Sequence, residues 1–277
     1  MDISKVVIPV GGLGTRLLPS TKEQPKEMLP VFSCSANSGV CLKPILQVVY
    51  ERLYDAGFRE FCFIVGRGKR CIEDHFTLDQ DFIDLLRKRN KTQTEKELDL
   101  FYDKLRKSSI HFVNQPEPRG LGNAVSMARL FTNKAPFLVH AGDDLIISKH
   151  NEHLRRLQYV FSTHDAEAVL CLERMKDPGN YGVIVGDEIT EGVHRVRRVV
   201  EKPHHSPSNL AIVAIYIFKP AIYNAIEKTD PDSVEEVQLT DAIQCLIEDE
   251  LSVFGVELQA GEKKGRHWNV RILLENY

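Results

Sequence analysis

The chain has 277 residues, 43% of them apolar, and its 36 basic and 39 acidic residues leave a formal net charge of −3. This apolar content is enough for a sizeable core, and because the charges are interspersed without a polybasic tail, we expect binding neither to nucleic acid nor to a membrane surface. No apolar run approaches the roughly twenty residues that span a bilayer, and the N-terminus lacks signal-peptide features, so we expect a cytoplasmic protein.

The first predicted element is a buried strand, Val6–Val10, which is too short and too β-branched for a helix. Three glycines follow it, and glycine lets backbone N–H groups lie close against an anion. A threonine and several cationic side chains come next. The residues predicted to surround a phosphate are Gly11, Gly12, Gly14, Thr15, Arg16, Lys22 and Lys26.

Two familiar glycine motifs do not fit this loop. A dinucleotide-binding G-x-G-x-x-G loop would need a third small residue at the position of Leu17, and a Walker A loop would need a G-K-[ST] ending that is absent. Glycines alone could also form an ordinary tight turn between a strand and a helix. The phosphate-binding interpretation therefore depends on the cations that follow the glycines.

The next segments alternate between loop, helix and strand. Val31–Leu42 is rich in Ser, Asn and Gly and is predicted to be a loop. A helix is predicted over Pro44–Ala56, and Phe61–Val65 is the second predicted strand. Residues 72–107 are highly charged, and their apolar residues recur at helical spacing, which predicts an inserted helical segment. This insertion could be a solvated surface, a lid or a subunit contact.

Later strands each precede polar residues. Ile110–Val113 precedes Gln115, and Phe137–His140 precedes Asp143 and Asp144. Ligands of open α/β sheets bind at the carboxyl ends of the strands. A glutamine amide can both donate to and accept from a nucleotide base, and Mg²⁺ prefers one or two carboxylates with water and phosphate oxygens. The two aspartates could otherwise be only a turn or a helix cap.

The cysteines predict neither a zinc site nor disulfides. None of the six forms a C-x-x-C pair, and most lie in or beside apolar runs, where a reduced thiol packs as a small apolar group. Cys34 and Cys41 are the exception because they bracket a polar segment. A disulfide between them is the alternative in an oxidising compartment.

Several motifs resemble the sequence signatures of the sugar-1-phosphate nucleotidylyltransferase family. The loop reads GGLGTRLLP at residues 11–19 and PKEMLP at residues 25–30, which is similar to the nucleotide-binding signature of that family. Other similar segments are GRGK at 66–69, QPEPRGLG at 115–122, GDD at 142–144, NYGVI at 180–184 and EKP at 201–203. The resemblance extends from about residue 5 to about residue 260.

The resemblance implies a Rossmann-like α/β fold, in which a mainly parallel central sheet is flanked by helices and carries a small β insertion. It implies a single nucleotidylyltransferase domain over residues 1–277, with a helical insertion at about residues 68–108. The alternation of strands and helices points to the same fold class.

The resemblance also implies roles for individual residues. The implied catalytic residues are Arg16, Lys26, Asp143 and Lys202, with Asp143 as the ligand of a Mg²⁺ ion. The implied nucleotide-binding residues are Gly11, Gly12, Gly14, Thr15, Glu27, Gln115 and Gly120. Gly182 and Glu201 would bind the sugar. Asn269 stands where related enzymes tend to have an aspartate, so we expect no second protein carboxylate on the metal from that segment.

The reaction implied is transfer of a uridylyl group from UTP to glucose 1-phosphate, giving UDP-glucose and pyrophosphate. We expect the partners to be UTP and a sugar 1-phosphate, and we expect a homo-oligomer. Three alternatives stay open: use of dTTP, use of a galactose or N-acetylglucosamine phosphate, and a catalytically silent homologue that binds sugar nucleotides. One methyl group separates thymine from uracil and is worth only about 1–3 kcal/mol in a pocket.

Overall fold

The computed structural model of the chain describes residues 3–35 and 39–265. Its strands are β1 (Lys5–Pro9), β2 (Pro30–Cys34), β3 (Val40–Pro44), β4 (Glu60–Gly66), β5 (Ser109–Gln115), β6 (Phe137–His140), β7 (Leu145–Ile147), β8 (Ala168–Arg174), β9 (Val183–Thr190), β10 (Val193–Val200), β11 (Leu210–Phe218), β12 (Val253–Glu257) and β13 (Lys263–Gly265). Its α-helices are α1 (Ile45–Asp55), α2 (Arg70–His75), α3 (Gln80–Lys88), α4 (Thr92–Arg106), α5 (Gly120–Ser126), α6 (Arg129–Thr132), α7 (Glu152–Thr163), α8 (Ala221–Lys228) and α9 (Leu239–Glu248).

The central element is a nine-stranded sheet in the order β5-β4-β1-β6-β11-β8-β12-β10-β9. All of its strands run in one direction except β10 and β11, which run against their neighbours. The prediction of an α/β fold with a mainly parallel sheet is therefore confirmed. Strands that are buried on both faces need apolar residues at successive positions, which explains why β1, β4 and β6 are continuous apolar runs.

Helices cover both faces of the sheet and divide the core into two apolar clusters. One cluster packs buried residues of α1, α4 and α7 against the sheet, and the other packs residues of α5, α8 and α9 against the opposite face. The predicted helical insertion consists of α2, α3 and α4, which lie between β4 and β5. The prediction of a single domain over residues 1–277 stays a prediction.

One local prediction was wrong. The segment predicted to be a loop at Val31–Leu42 contains most of β2 and β3, which pair as an antiparallel hairpin. Residues of β2 alternate between exposed and buried positions, but Ser33 is buried and Phe32 is exposed, so the residue types show no alternating apolar pattern. Helix α9 begins after its N-cap residue Gln238, and the Thr240 hydroxyl in its first turn donates to Glu201 at 2.7 Å.

The six cysteines are free thiols. Cys34 lies opposite Val40 in the β2–β3 hairpin, whereas Cys41 lies opposite Ser33. Because successive residues of a strand point to opposite faces, the two thiols lie on different faces of the hairpin. Among residues 3–35 and 39–265, no helix has both the length and the apolar character needed to cross a membrane.

Candidate active site

The glycine loop begins where β1 leaves the centre of the sheet. β1 lies between β4 and β6, and the Val10 N–H still donates to the Ile64 carbonyl of β4 at 2.9 Å. The chain then leaves the sheet at the carboxyl end of these parallel strands, where open α/β sheets bind ligands. A single turn of 3-10 helix over Thr15–Leu17 follows the glycines, so no α-helix starts here.

Gly11 has no room for a side chain because the ends of β4 and β5 lie directly against it. A Cβ atom at this residue would lie 2.7 Å from Oε1 of Gln115 and 3.4 Å from the backbone nitrogen of Gly66. Gln115 ends β5 and Gly66 ends β4. The first glycine of the loop therefore lets three neighbouring strand ends meet, which fixes the start of the loop against the sheet.

A cleft of about 520 Å³ opens beside this loop. Residues predicted to bind phosphate form one wall, and the aspartates after β6 form another. The residues that line it are Gly12, Leu13, Gly14, Thr15, Arg16, Leu17, Lys26, Asp143, Asp144, Tyr181, Glu236, Lys264 and Gly265. The structure therefore brings the glycine loop, Arg16, Lys26 and Asp143 together in one place.

Two lysine–aspartate pairs cross the cleft. The Lys26 Nζ atom lies 2.8 Å from Oδ2 of Asp143, and the Lys264 Nζ atom lies 2.6 Å from Oδ2 of Asp144. Burial alone would lower the pKa of both lysines, but attraction to these carboxylates raises each pKa above its ordinary value. Both lysines are therefore cations at neutral pH, which is the state that a phosphate site needs.

The predicted sugar-binding residues form a second cluster. Glu201 accepts a hydrogen bond from the Thr240 hydroxyl at 2.7 Å through Oε2, and its Oε1 lies 3.0 Å from the Lys202 Nζ atom. A Cβ atom at Gly182 would lie 3.2 Å from Oε2 of Glu201. Gly182, Glu201 and Lys202 therefore lie together, as the sequence motifs predict.

This second cluster is close to the cleft. The Lys202 N–H donates to the carbonyl of Tyr181, which lines the cleft, at 3.1 Å. Tyr216 is buried in β11, and burial followed by the negative charges of Glu201 and Asp144 raises its pKa. The Lys202–Tyr181 contact therefore places the second cluster next to the cleft.

Four residues predicted to bind nucleotide, Gly11 among them, do not line the cleft. The Glu27 side chain is 1% exposed and pairs with Lys69 at 2.9 Å. Gln115 is buried, and its Nε2 donates to Oδ1 of Asn123 at 2.8 Å. Gly120 has φ +88°, and a Cβ atom there would lie 2.8 Å from the Val237 carbonyl oxygen. These contacts explain the residue types by packing within the protein.

The structure adds residues that the sequence did not single out. Lys264 lies in the charge run EKK, which reads as a solvated surface, and only the pairing of β13 with β7 brings it to Asp144. Tyr181 lies in the motif at residues 180–184, and Glu236 lies shortly before α9. Neither residue type by itself indicates that the residue lines a ligand site. Asn269 lies outside the described residues.

The acidic residues of the cleft fit a magnesium site. Asp143 and Asp144 supply two hard carboxylates in the same cleft as the glycine loop, and Mg²⁺ usually takes one or two carboxylates plus substrate phosphates. Among the described residues, the group spaced to offer three metal ligands is elsewhere, at Glu188, His194 and Glu257. There Glu257 already accepts hydrogen bonds from Arg174 and His194.

These features together define an α/β protein whose candidate site, a glycine loop with cationic and acidic side chains, lies at the carboxyl end of its sheet. The chain belongs to the nucleotidyl transferase family, whose model matches residues 5–261.

Named relatives agree with this assignment. A UTP–glucose-1-phosphate uridylyltransferase of Pseudomonas aeruginosa is 37% identical over 245 residues, which is 87% of this chain and 84% of the relative. The solved UDP-glucose pyrophosphorylase complexed with UDP-glucose is 29% identical with a TM-score of 0.82, covering 99% of this chain and 97% of that chain. A solved UTP-bound enzyme of Acinetobacter baumannii is 28% identical with a TM-score of 0.84. The match covers 99% of this chain and 93% of that chain.

Proposed function

We propose that this protein transfers the uridylyl group of UTP to glucose 1-phosphate and releases pyrophosphate. The observation that carries the proposal is the Lys26–Asp143 pair, which lines the same cleft as the glycine loop, with Lys26 beside Gly12. The names of the relatives, a UTP complex and a UDP-glucose complex support the choice of substrates. The cytoplasmic location stays a prediction.

The chemical obstacle is that one anion must approach another. At ~4 Å, two like unit charges repel by about 4 kcal/mol for an effective dielectric near 20, and both substrates carry several charges. Arg16, Lys26 and Lys264 place three cationic side chains around the cleft, and the loop offers backbone N–H groups. These groups would offset the repulsion and stabilise charge that develops on the leaving pyrophosphate.

The attacking group needs no general base. A phosphate oxygen of the sugar phosphate is already deprotonated near neutral pH, so it can attack the α-phosphorus of UTP directly. The protein would therefore act by holding both substrates in line and by neutralising their charge. Lys202 would contact the sugar phosphate, and Glu201 would accept hydrogen bonds from sugar hydroxyls.

Nucleotidyl transferases generally use a divalent metal ion, and we propose that Mg²⁺ is the ion here. Asp143 would hold it, with Asp144 as its neighbour. When bound, the ion would supply positive charge and Lewis acidity to the phosphates. Lys26 and Lys264 hold the two carboxylates in position before any ion arrives.

The function can be tested by a product assay with purified protein. All four nucleoside triphosphates and dTTP would be paired with glucose, galactose and N-acetylglucosamine 1-phosphates in the presence of Mg²⁺. We expect UTP with glucose 1-phosphate to have the highest kcat/KM. A higher value for dTTP or for another sugar phosphate would correct the substrate, and no pyrophosphate with any pair would indicate a silent homologue.

Replacing Glu201 with alanine should raise KM for glucose 1-phosphate by about tenfold or more, since 1.4 kcal/mol corresponds to a factor of ten. The dissociation constant for UTP, measured by calorimetry, should change little. Glu191→Ala, at an exposed residue of the β9–β10 turn, is the control. A variant that lost UTP binding but kept its KM for the sugar phosphate would contradict the assigned role.

Replacing Gly11 with alanine should weaken UTP binding by about tenfold, because overpacking a tight contact typically costs about 1–3 kcal/mol. The added Cβ would have to displace Gln115 or the loop. Gly39→Ala is the matched control because its Cβ would meet nothing closer than the Ser35 Cβ at 4.0 Å. Equal UTP affinity in the two variants would show that the loop position does not matter.

A further inference from the structure

The turn after β4 carries the GRGK motif, whose residues do not line the cleft. Gly66, the first residue of the motif, lies against the start of the glycine loop, because a Cβ atom there would lie 2.8 Å from the Gly11 carbonyl oxygen. Lys69, the last residue of the motif, pairs with Glu27 at 2.9 Å. One short turn therefore contacts both the glycine loop and the segment that carries Lys26.

The lysine of this motif is committed to a partner within the protein. The Lys69 side chain is 9% exposed and the Glu27 side chain is 1% exposed, so the ion pair is buried. The Lys69 backbone N–H donates to the Gly66 carbonyl at 3.3 Å, which closes the turn. Gly68 has φ +79°, a conformation that glycine adopts without strain. The motif therefore forms a closed turn that directs a buried cation toward Glu27.

Glu27 lies in the single turn of 3-10 helix, Lys26–Met28, that presents a lysine to the cleft. Neighbouring side chains of this turn have different partners. Lys26 reaches Asp143 in the cleft, whereas Glu27 is buried against Lys69. Because the two residues are adjacent in a one-turn element, the contact that fixes Glu27 also restricts where Lys26 can lie.

The buried ion pair is better explained by orientation than by stability. Moving two charges out of water is costly, and their mutual attraction often does no more than offset that cost. Uncharged residues of similar size can therefore stabilise a fold equally well. What the pair does supply is a fixed distance, because its 2.9 Å contact joins the turn after β4 to the turn that carries Lys26.

We propose that Lys69 and Glu27 are positioning residues that hold Lys26 in place beside the glycine loop. The Lys26 Nζ atom lies only 3.8 Å from the position that a Cβ atom of Gly12 would take, so a small movement of the turn would displace the cation from the loop. A misplacement of about 1 Å can cost about 100-fold in rate. The inference rests on the proposed function, in which Lys26 neutralises substrate charge.

A variant that lacks both charges tests the proposal. Glu27→Gln combined with Lys69→Met keeps the approximate size of both side chains and leaves no unpaired charge buried. We expect kcat/KM to fall at least about tenfold, with a melting temperature close to that of the unaltered protein. The matched control is Lys43→Met with Glu51→Gln. That pair lies at 2.8 Å with both side chains 15% exposed, neither residue lines the cleft, and kcat/KM should be unchanged.

Combining the variant of the Glu27–Lys69 pair with Lys26→Ala separates positioning from general damage. If the pair acts through Lys26, its loss should have little further effect on kcat/KM once Lys26 is absent. Losses that multiply in the combined variant would overturn the proposal. A folded variant of the pair with the kcat/KM of the unaltered protein would also overturn it.

Calorimetry with UTP gives a second readout that does not require turnover. The variant of the pair and Lys26→Ala should each weaken UTP binding about tenfold, as loss of one charge-assisted contact would, and the combined variant should weaken it no further. UTP affinity that falls further in the combined variant than in Lys26→Ala would contradict the inference. Unaltered protein that binds UTP but forms no pyrophosphate would refute the proposed reaction instead, and the UTP affinities would then decide the positioning role.

Discussion

Replacing Lys26 with alanine is expected to lower kcat/KM by at least about 100-fold, which is a barrier increase of roughly 2.7 kcal/mol. Lys26 lines the cleft beside Gly12, and its side chain is 25% exposed. Its raised pKa keeps it charged at neutral pH. The substitution removes a positioned cation where substrate charges converge, and it also removes the partner that holds Asp143 at 2.8 Å.

The matched control for this prediction is Lys22→Ala. Lys22 lies in the same loop segment, but its side chain is 77% exposed and its nearest partner is Glu23 on the surface. We expect the control to keep nearly normal turnover, because an exposed cation is screened by solvent. Circular dichroism and the melting temperature would establish that both variants are folded. Equal turnover in the two folded variants would refute the role of Lys26.

Replacing Asp143 with asparagine is expected to lower turnover by a similar factor of about 100 or more, again roughly 2.7 kcal/mol. Asparagine keeps the shape of the side chain but removes the charge that attracts both Lys26 and a divalent cation. We also expect the Mg²⁺ concentration for half-maximal activity to rise, because a neutral amide is a weaker ligand than a carboxylate.

Two comparisons separate this effect from general damage. Asp187→Asn changes an exposed carboxylate on β9, 67% exposed and paired with Arg197, and should leave both turnover and Mg²⁺ dependence unchanged. The Mg²⁺ titration distinguishes a metal ligand from a residue that only positions Lys26. An Asp143→Asn variant with normal Mg²⁺ dependence and lost turnover would assign Asp143 the positioning role instead.

The sequence predicted those site residues whose type suits ligand binding and whose position follows a predicted strand or lies in a long motif. Gly11, Lys26 and Asp143 each follow a recognisable strand or lie in a long motif, and each is found at the predicted edge of the sheet. Glu201 and Lys202 lie far along the chain, directly after β10, yet the Lys202 N–H donates to the carbonyl of Tyr181, which lines the cleft.

Other parts could not be predicted because they depend on contacts between distant segments. Lys264 reaches Asp144 only through the pairing of β13 with β7, which no local pattern indicates. Glu27 matched a family motif, but its carboxylate is buried against Lys69 from the turn after β4. A motif read without its tertiary partner cannot separate a binding carboxylate from a structural one.

The hairpin was missed for a related reason. Its polar residues predict a loop, and β2 has no alternation of apolar and polar residue types that would indicate a strand. Val31 is buried in the core, but Phe32 is exposed while Ser33 is buried, which is the opposite of the usual arrangement. Prediction from sequence takes apolar residues to lie inside the fold. It therefore predicts a hairpin with exposed apolar residues poorly.

The central claim is that this cleft brings two phosphate-bearing substrates together and joins them. Its most direct test is to measure pyrophosphate and UDP-glucose together while UTP, glucose 1-phosphate and Mg²⁺ are each omitted in turn. We predict equal amounts of both products when all three are present and neither product when any one is missing. Pyrophosphate released from UTP without glucose 1-phosphate, or no pyrophosphate in the complete mixture, would contradict the account.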